Sequence, residues 1–358
     1  MTTAVVLYNL GGPNGPDDVR PFLFNLFNDP MIIGAPAPIR WFLAQMISRR
    51  RAPIAREIYA HIGGGSPLLA NTCAQADALE AALNATEDDE TYRCFVAMRY
   101  WHPMCDAVMG EVMATRPDRI VLLPLYPQFS TTTVGSMMRI WEQTARKRKL
   151  DIPVTSLCCY PVDPGFIGAV TGLLASAIEE ASRDAKNLRV LFSAHGLPKQ
   201  IVEGGDPYQS QVEQTAAAVM DNLGQDLDWL CCYQSQVGPL EWIGPSTDDE
   251  IARAGADGRS VIIVPIAFVS EHSETLVELD IEYRHLAEKA GVPEYIRVST
   301  VGTAPAFIAG LVDLVRANIA AGCDICSGDA EASGAGGGRI CAAEWSKCPV
   351  AEAAGATG

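Results

Sequence analysis

The sequence predicts an α/β protein made of two Rossmann-like lobes, each a parallel sheet flanked by helices. Short apolar runs alternate with longer amphipathic stretches, and this βαβ order is typical of a parallel sheet with right-handed crossovers. The order occurs in both halves of the chain, whose 358 residues suffice for two domains of ordinary size. After residue 322 the composition shifts to glycine, alanine and cysteine, which predicts a separate C-terminal extension over 323–358.

The first lobe is predicted to span residues 1–150. Apolar runs predict strands at 4–8, 94–98 and 120–125. The stretches between them predict helices, at 73–85 and 104–113. Residues 19–48 are apolar on most faces but interrupted by prolines, so helix, loop and helix are expected there. The charged stretch 146–151 is the candidate linker to the second lobe.

The second lobe is predicted to span residues 151–322 with the same alternation. The expected elements are strands at 154–158, 189–192, 229–233, 260–269 and 296–301, and helices at 166–184, 207–223 and 304–321. Another helix is expected directly after the strand at 260–269, where the periodicity changes from a continuous apolar run to helical spacing.

That last helix carries an unusual row of carboxylates. Glu274, Glu278 and Glu282 stand four residues apart, so a helix would place them in one acidic stripe, although like charges at that spacing repel. One interpretation is a solvated helix face. The stripe begins, however, at the carboxyl end of an apolar strand, where open α/β sheets bind their ligands. His195 and His272, two of only five histidines, also follow strand ends.

Charge and composition exclude several functions. A net charge of -16 argues against a nucleic-acid partner and against loose electrostatic binding to anionic lipid. No run of about 18 apolar residues predicts a transmembrane helix, and no basic leader precedes the first strand. We therefore expect a cytoplasmic protein, with peripheral membrane contact and the choice between monomer and homodimer left open.

The extension contains four of the eleven cysteines, at Cys323, Cys326, Cys341 and Cys348. Without a secretory leader, thiols or metal ligands are expected in preference to disulfides. Gathered thiolates favour either zinc or an iron–sulfur cluster, and the spacing does not separate the two. The adjacent pairs at 158–159 and 231–232 are expected to be small buried hydrophobes unless one of them ligates metal.

Taken in order, several motifs resemble those of ferrochelatase, the enzyme that inserts ferrous iron into protoporphyrin in the last step of haem synthesis. The resemblance runs from about residue 5 to residue 319. The motifs that carry it are Asn9–Pro13, Tyr59–Pro67, Arg99-Tyr100, Tyr126–Ser130, Phe192–Pro198, Gly205–Tyr208, Tyr233–Pro239 and Pro265–Tyr283. It implies a chelatase-type fold with the active-site cleft between the lobes, and porphyrin and Fe²⁺ as substrates.

The resemblance also implies roles for individual residues. His195, Glu274 and Glu278 would be catalytic, with His195 and Glu274 also contacting the substrate iron. The expected substrate-binding residues are Leu10, Arg50, Arg51, Arg99, Tyr100, Phe129 and Ser130. In such enzymes the segment matching 19–48 forms a hydrophobic lip over the active site that can rest on a membrane, and a guanidinium pair is suited to porphyrin propionates.

Many ferrochelatases hold a [2Fe–2S] cluster on a cysteine-rich extension with three ligands there and one internal. The resemblance therefore implies such a cluster here. This chain departs from the animal pattern, because Thr131 stands where that pattern has its internal cysteine. The fourth ligand is then either Cys158 or the fourth cysteine of the tail.

Three functional alternatives stay open at this point. The substrate could be coproporphyrin in place of protoporphyrin, or the chain could be a cobalt or nickel chelatase acting on another tetrapyrrole. A non-catalytic haem-binding or periplasmic-type binding protein also has two α/β lobes, but it leaves the acidic stripe and His195 without a role.

Overall fold

The computed structural model describes residues 1–85, 90–181, 187–236, 238–328 and 338–350. The strands within those ranges are β1 (Thr2–Asn9), β2 (Thr91–Met98), β3 (Arg119–Pro124), β4 (Val154–Leu157), β5 (Leu188–His195), β6 (Asp228–Gln234), β7 (Ser260–Pro265), β8 (Tyr295–Arg297) and β9 (Ile325–Cys326). The α-helices are α1 (Val19–Phe27), α2 (Ala37–Ala60), α3 (Leu68–Leu83), α4 (Cys105–Ala114), α5 (Val134–Arg148), α6 (Pro164–Glu180), α7 (Lys199–Glu203), α8 (Tyr208–Leu223), α9 (Thr247–Ala256), α10 (Tyr283–Ala290) and α11 (Pro305–Ala321).

The strands form two parallel sheets, which confirms the predicted fold class. The first sheet has the order β2-β1-β3-β4-β9 and the second the order β6-β5-β7-β8. The central strands β1, β3, β5 and β7 are buried almost throughout, because helices cover both faces of each sheet. All strands of a sheet point the same way, so their carboxyl ends, and the loops that follow, lie at one edge.

The structure corrects the predicted boundary between the sheets. Strand β4, which was expected to open the second lobe, pairs with β3 in the first sheet, and the tail strand β9 pairs with β4 in turn. The first residues of the charged stretch 146–151 are helical and do not form a linker, because α5 continues to Arg148. Basic residues in a last helical turn are favourable to the helix dipole, and Arg148 also binds Asp106 at 2.7 Å.

The helix that carries the acidic residues is a π-helix from Glu274 to Glu282, continued by α10. The amide of Tyr283 donates to the carbonyl of Glu278, five residues earlier. The predicted α-helical spacing was therefore wrong in detail, because the side-chain pattern does not distinguish i+4 from i+5 backbone bonding. Single-turn or short π segments of this kind occur frequently at functional sites.

The two lobes share one hydrophobic core. Leu7 and Leu123 of the first sheet belong to the same apolar cluster as Phe192 and Val264 of the second. The buried side chain of Gln75 on α3 adds a polar link, because its Nε2 donates to the carbonyls at 269 and 302, each at 2.9 Å. The loop between β7 and the π-helix is therefore held against the first lobe.

The lip predicted at residues 19–48 is helix, loop and helix, as expected, but its large exposed apolar side chains lie on the second helix. Phe22 and Leu23 on α1 are buried, so for these residues the core-packing interpretation is correct. The second helix, α2, does not end near residue 48 but continues to Ala60 with Pro53 inside it. Its large exposed apolar side chains are Ile39, Trp41, Phe42, Met46 and Ile54. In the part of the chain described, no helix is long and apolar enough to cross a bilayer.

Candidate active site

A histidine and a carboxylate meet where β5 ends and the π-helix begins. His195 is the last residue of β5, and its Nδ1 lies 3.0 Å from Oε2 of Glu274, the first residue of the π-helix. Both side chains remain partly open to solvent, with exposed fractions of 39% and 27%. When Nδ1–H of the neutral imidazole donates to the carboxylate, Nε2 carries the lone pair that can accept a proton.

The two groups shift each other's pKa. Burial alone would lower the pKa of His195, but the Glu274 charge and hydrogen bond outweigh it, with help from Glu278, and the net shift is upward. Burial alone would raise the pKa of Glu274, but attraction to His195 and His272 lowers it well below its usual range. Glu274 is therefore ionised at neutral pH, and the imidazole beside it is more basic than a free one.

A second histidine stands on the other side of Glu274. Nε2 of the buried His272 lies 3.8 Å from Glu274 Oε2, and its ring packs on Phe268 with centroids 4.6 Å apart. Its Nδ1 has no hydrogen-bond partner among the described residues. The first turn of the π-helix is secured by Thr275, whose hydroxyl accepts from the backbone amide of His272 at 3.0 Å.

Glu278 is clamped by the turn that follows β6. Its carboxylate accepts from Gln234 Nε2 at 3.0 Å, from Ser235 Oγ at 2.6 Å and from the Ser235 amide at 2.9 Å. Ser235 adopts a left-handed backbone (φ 63°), which turns its amide and hydroxyl toward the same carboxylate. Burial and the neighbouring Glu274 raise the pKa of Glu278 above its usual value despite these donors.

The first lobe brings tyrosines to the same place. Tyr59, near the end of α2, hydrogen-bonds Ser273, and burial together with the Glu274 charge raises its pKa to about 12. Tyr126 follows β3, and burial and the charge of Glu274 raise its pKa as well. Both phenols are therefore neutral at physiological pH and can act only as neutral hydrogen-bonding groups.

Arg99 and Tyr100, expected to bind substrate, share a buried carboxylate with Ser136. Asp29 Oδ2 accepts from Arg99 Nη2 and from the Tyr100 hydroxyl, each at 2.7 Å, and from the Ser136 hydroxyl. Arg99 Nε also donates to Ser136 Oγ at 2.7 Å. Tyr100 is almost fully buried, so the structure gives it a protein partner and not an open face. Most of the Arg99 guanidinium is held in the same way.

Phe129 and Ser130 are also buried rather than open to a cleft. The Ser130 hydroxyl donates to the buried Asp206 at 3.1 Å, and the Phe129 amide donates to Gln211 at 2.7 Å. Both contacts cross from the first lobe to the segment around α8. Leu10 is half-buried beside Tyr100, where it packs against the apolar cluster between α1 and α2.

Arg50 and Arg51 are exposed on α2 and are not at its end. Arg50 borders a surface groove of about 510 Å³ whose lining is Trp41, Phe42, Gln45, Met46, Arg49 and Arg50. Glu282, the third residue of the expected acidic stripe, is exposed at the far end of the π-helix. The structure therefore brings together His195, Glu274 and Glu278. Arg50, Arg51 and Glu282 lie outside that group.

The tail cysteines do not converge as the sequence predicted. Cys323 and Cys326 form a disulfide, so neither is a free thiol in the structure. Within the described ranges, no group of three or more His, Cys, Asp or Glu side chains is arranged to hold a metal ion. The other two tail thiols, Cys341 and Cys348, are buried and hydrogen-bonded to each other. Residues 329–337 and 351–358 of the predicted extension lie outside the described ranges.

A different group of thiols meets around Gln211 of α8. Its Nε2 donates to Cys159 Sγ at 3.4 Å and to Cys341 Sγ at 3.2 Å, and Cys158 Sγ lies 3.3 Å from Cys159 Sγ. The hydrogen bond from Cys348 and burial raise the pKa of Cys341 far above its usual value. Cys158 and Cys159 were expected to be small buried hydrophobes, and they are buried, but the tail packs directly on them.

Several residues of the site carried no signal in the sequence. Asp29 and Ser136 lie far along the chain from the groups they contact, and no spacing rule links them. Tyr59 opens one of the motifs that carried the family resemblance, but that motif did not show its contact with Ser273. Gln234 and Ser235 lie within one of the motifs that carried the family resemblance, but that motif alone did not show that they hold Glu278.

Comparison with solved structures places the chain among the chelatases by fold. SirB from Bacillus subtilis with Fe³⁺ aligns with a TM-score of 0.53 and 13% identity, over 89% of this chain and 96% of that one. The sirohydrochlorin chelatase SirB from Bacillus subtilis subspecies spizizenii in complex with cobalt aligns with a TM-score of 0.51 and 11% identity, over 89% and 95%. At such identities the likeness defines the fold class alone.

Sequence comparison defines the family. A ferrochelatase family profile matches residues 2–319. The ferrochelatase of Caulobacter vibrioides strain NA1000 / CB15N is 54% identical over 353 residues, covering 99% of both chains. That of Pelagibacter ubique is 48% identical over 316 residues, covering 88% of this chain and 91% of its own. The chain belongs to the ferrochelatase family, enzymes that insert ferrous iron into a porphyrin for haem synthesis.

Proposed function

We propose that this enzyme inserts Fe²⁺ into protoporphyrin IX to give protohaem, with His195 and Glu274 at the reacting centre. The observation that carries the assignment is the contact of 3.0 Å between His195 Nδ1 and Glu274 Oε2 at adjoining strand and helix ends. The alternatives are coproporphyrin as substrate and a cobalt or nickel tetrapyrrole reaction, and an anaerobic insertion assay with competing porphyrins and metals distinguishes them.

Metallation releases the two pyrrole protons of the porphyrin, so the site must accept protons and orient the incoming metal. His195 is the proposed acceptor because Nε2 is free to bind a proton while Nδ1 is held by Glu274. Glu274 stabilises the imidazolium that forms. Imidazole nitrogen and carboxylate oxygen are also ligands that suit Fe²⁺, so the same two side chains can contact the metal as it enters.

Glu278 is the proposed next carrier of the released protons. It lies four residues after Glu274 on the π-helix, and its raised pKa lets it take up a proton more readily than a free carboxylate. The Gln234 and Ser235 donors hold its carboxylate in place. We expect its loss to slow turnover without weakening porphyrin binding.

The first lobe would supply the porphyrin contacts. Arg50 and Arg51 are exposed cations suited to propionate carboxylates, and the half-buried Leu10 offers apolar surface next to Tyr100. Because Tyr100 is buried and bonded to Asp29, we assign it, with Arg99, to positioning the pocket wall. Phe129 and Ser130 are likewise assigned to the contact between the lobes and not to a direct porphyrin contact.

We propose that the enzyme is cytoplasmic and that the exposed apolar face of α2 makes peripheral membrane contact. Trp41, Phe42 and Met46 are each at least half exposed, and large exposed apolar residues on one helix face are typical of an interaction surface. Arg49 and Arg50 beside them place positive charge at the same groove, which is favourable near anionic headgroups despite the net charge of the whole chain.

The double substitution Trp41→Ser and Phe42→Ser tests that contact. We expect it to reduce binding to anionic vesicles severalfold in a flotation assay, because the buried apolar area is lost, while thermal stability stays unchanged. Leu240→Ser, at an exposed apolar residue outside α2, is the matched control. Vesicle binding that is equal for the wild type and the double variant would contradict the proposal.

We further propose that the protein holds a [2Fe–2S] cluster on Cys158 and thiols of the tail, next to the place where Cys159 and Cys341 contact Gln211. The donor chemistry fits, because Cys158, Cys341 and Cys348 are buried thiols and Cys326 lies beside Cys158 through the pairing of β4 with β9. Once the disulfide is reduced, Cys326 would complete a set of four with Cys158 as the internal ligand. When bound, the cluster would supply a one-electron centre; the residues of the chain itself would contribute sulfur ligands and the ordering of the tail.

Protein purified without oxygen should then be red-brown, with about two irons and two sulfides per chain if the sites are full. Cys158→Ser, Cys341→Ser and Cys348→Ser should each bleach the absorption, whereas Cys73→Ser, at an exposed cysteine on α3, should not. Because metal binding to gathered thiolates contributes folding free energy, bleaching should lower the melting temperature. Colourless protein with about one zinc per chain would contradict the cluster.

A further inference from the structure

A tyrosine hydroxyl joins a partly buried carboxylate of the site to an exposed one. Tyr283 is the first residue of α10, and its ring is buried between the π-helix and α9. The hydroxyl lies 3.3 Å from Glu278 Oε1 and 3.0 Å from Asp248 Oδ2. Asp248 stands in the first turn of α9 and is exposed to solvent. The three groups therefore form a row from the site to the surface.

The number of protons in this row limits which hydrogen bonds can form at the same time. A phenol has one proton, so it can donate to only one of the two carboxylates at a time. Both contacts are hydrogen bonds together only when one carboxyl group is protonated and donates to the phenol oxygen. Glu278 is the less exposed member of the pair, and partial burial and its carboxylate neighbour Glu274 favour its protonated form.

The charges around the phenol keep it in its neutral form. Burial and the facing carboxylates, Glu278 from the π-helix and Asp248 from α9, raise the pKa of Tyr283 far above its usual value. The phenol therefore does not become a phenolate at any pH at which the enzyme works. It can pass a proton only by receiving one at its oxygen as it gives up its own.

Building on the proposed role of Glu278, we propose that Tyr283 is a proton-relay residue that carries protons from Glu278 to Asp248. Protonated Glu278 transfers its proton to the phenol oxygen while the phenol proton passes to Asp248 Oδ2. Asp248 then releases that proton to water. Rotation of the hydroxyl about its C–O bond restores the starting arrangement, and no bond other than O–H forms or breaks.

The contact of Tyr283 with Glu278 is explained by a relay but not by a role in positioning the Glu278 carboxylate. Gln234 and Ser235 already hold Glu278 through three hydrogen bonds, so the phenol is not needed to fix the carboxylate. The contact through Tyr283 leads instead to Asp248, whose carboxylate is exposed.

Tyr283→Phe removes the hydroxyl and keeps the ring, so it tests the relay with little change in packing. We expect kcat for anaerobic Fe²⁺ insertion to fall on the order of tenfold with KM for porphyrin unchanged, less than for loss of a direct proton acceptor. Adding a small proton carrier such as imidazole buffer should restore much of the lost kcat. The wild type should show no such dependence on buffer concentration.

Asp248→Asn should reproduce the loss of kcat, and combining it with Tyr283→Phe should add little, because both changes interrupt one route. Asp249→Asn, an equal charge change at the next exposed residue of α9, is the matched control and should keep wild-type kcat. Wild-type kcat in Tyr283→Phe, or a loss that no buffer restores in protein with unchanged melting temperature, would overturn the relay.

The background variant Glu278→Gln separates this inference from the proposed function beneath it. If the relay runs through Glu278, Tyr283→Phe should have no further effect in that background. An additional tenfold loss there would overturn the relay while leaving the active site intact. Undiminished turnover of Glu278→Gln itself would show instead that the proposed role of Glu278 is wrong.

Discussion

His195→Ala should lower kcat for anaerobic Fe²⁺ insertion by about 10²–10⁴-fold, the range that a general base usually contributes. The imidazole is the group whose free Nε2 can accept a pyrrole proton, and alanine leaves Glu274 without its partner at 3.0 Å. The fold should survive, because His195 is partly exposed at the end of its strand.

His285→Ala is the matched control, since His285 is an exposed histidine of α10 with no role in the proposed site. Its kcat should stay at the wild-type level. Circular dichroism and the melting temperature show whether either variant has lost its structure. More than about a tenth of wild-type turnover in folded His195→Ala would contradict the assignment of the proton acceptor.

Glu274→Gln should cost far more activity than Glu282→Gln. Glu274 contacts His195 and lies near His272, whereas Glu282 is exposed at the far end of the π-helix. We expect a loss on the order of a hundredfold in kcat at the first position and less than a factor of two at the second. Equal losses would show that proximity to His195 is not what makes these carboxylates important.

Glu274→Gln should also shift the pH dependence of kcat/KM in a predictable direction. His195 accepts a proton only in its neutral form, so kcat/KM of the wild type should fall as the pH drops through the raised pKa of His195. Glu274→Gln removes the negative charge that raises this pKa. The acid limb of the residual activity should therefore shift to lower pH, and an unchanged limb would assign it to another group.

The sheets could be predicted because buried parallel strands are continuous apolar runs. The segments at 4–8 and 120–125 fall on β1 and β3 for that reason. Sheet membership could not be predicted in the same way. Whether Val154–Leu157 pairs with β3 or with β5 depends on how the chain crosses between the lobes, and the two-residue strand β9 that covers its edge has no pattern of its own.

The contact between His195 and Glu274, which is the proposed reacting centre, could be predicted because both residues follow strand ends. His195 and Glu274 are separated along the chain, but both come at the carboxyl edge of one parallel sheet. The residues that surround His195 and Glu274 could not be predicted in this way. Asp29 binds Arg99 across a separation in sequence that no spacing rule spans, and a residue such as Tyr100 can match a motif and still be buried.

The tail shows the same limit for cysteines. The spacing of Cys323 and Cys326 suggested two ligands of one site, whereas in the structure they are joined as a disulfide. The thiols that meet include Cys158 and Cys159 from the end of the first sheet, and only the folded chain brings Cys341 to them through Gln211.

The most direct test of the proposed function is anaerobic metal insertion by the wild-type enzyme, with protoporphyrin IX and coproporphyrin III as competing acceptors and Fe²⁺, Co²⁺ and Ni²⁺ offered in turn. Haem formation is followed by absorption, and proton release by a pH indicator in the same single turnover. We expect Fe²⁺ with protoporphyrin IX to give the highest kcat/KM, with two protons released per haem. A higher kcat/KM with coproporphyrin III, or with Co²⁺ or Ni²⁺ in place of Fe²⁺, would contradict the account.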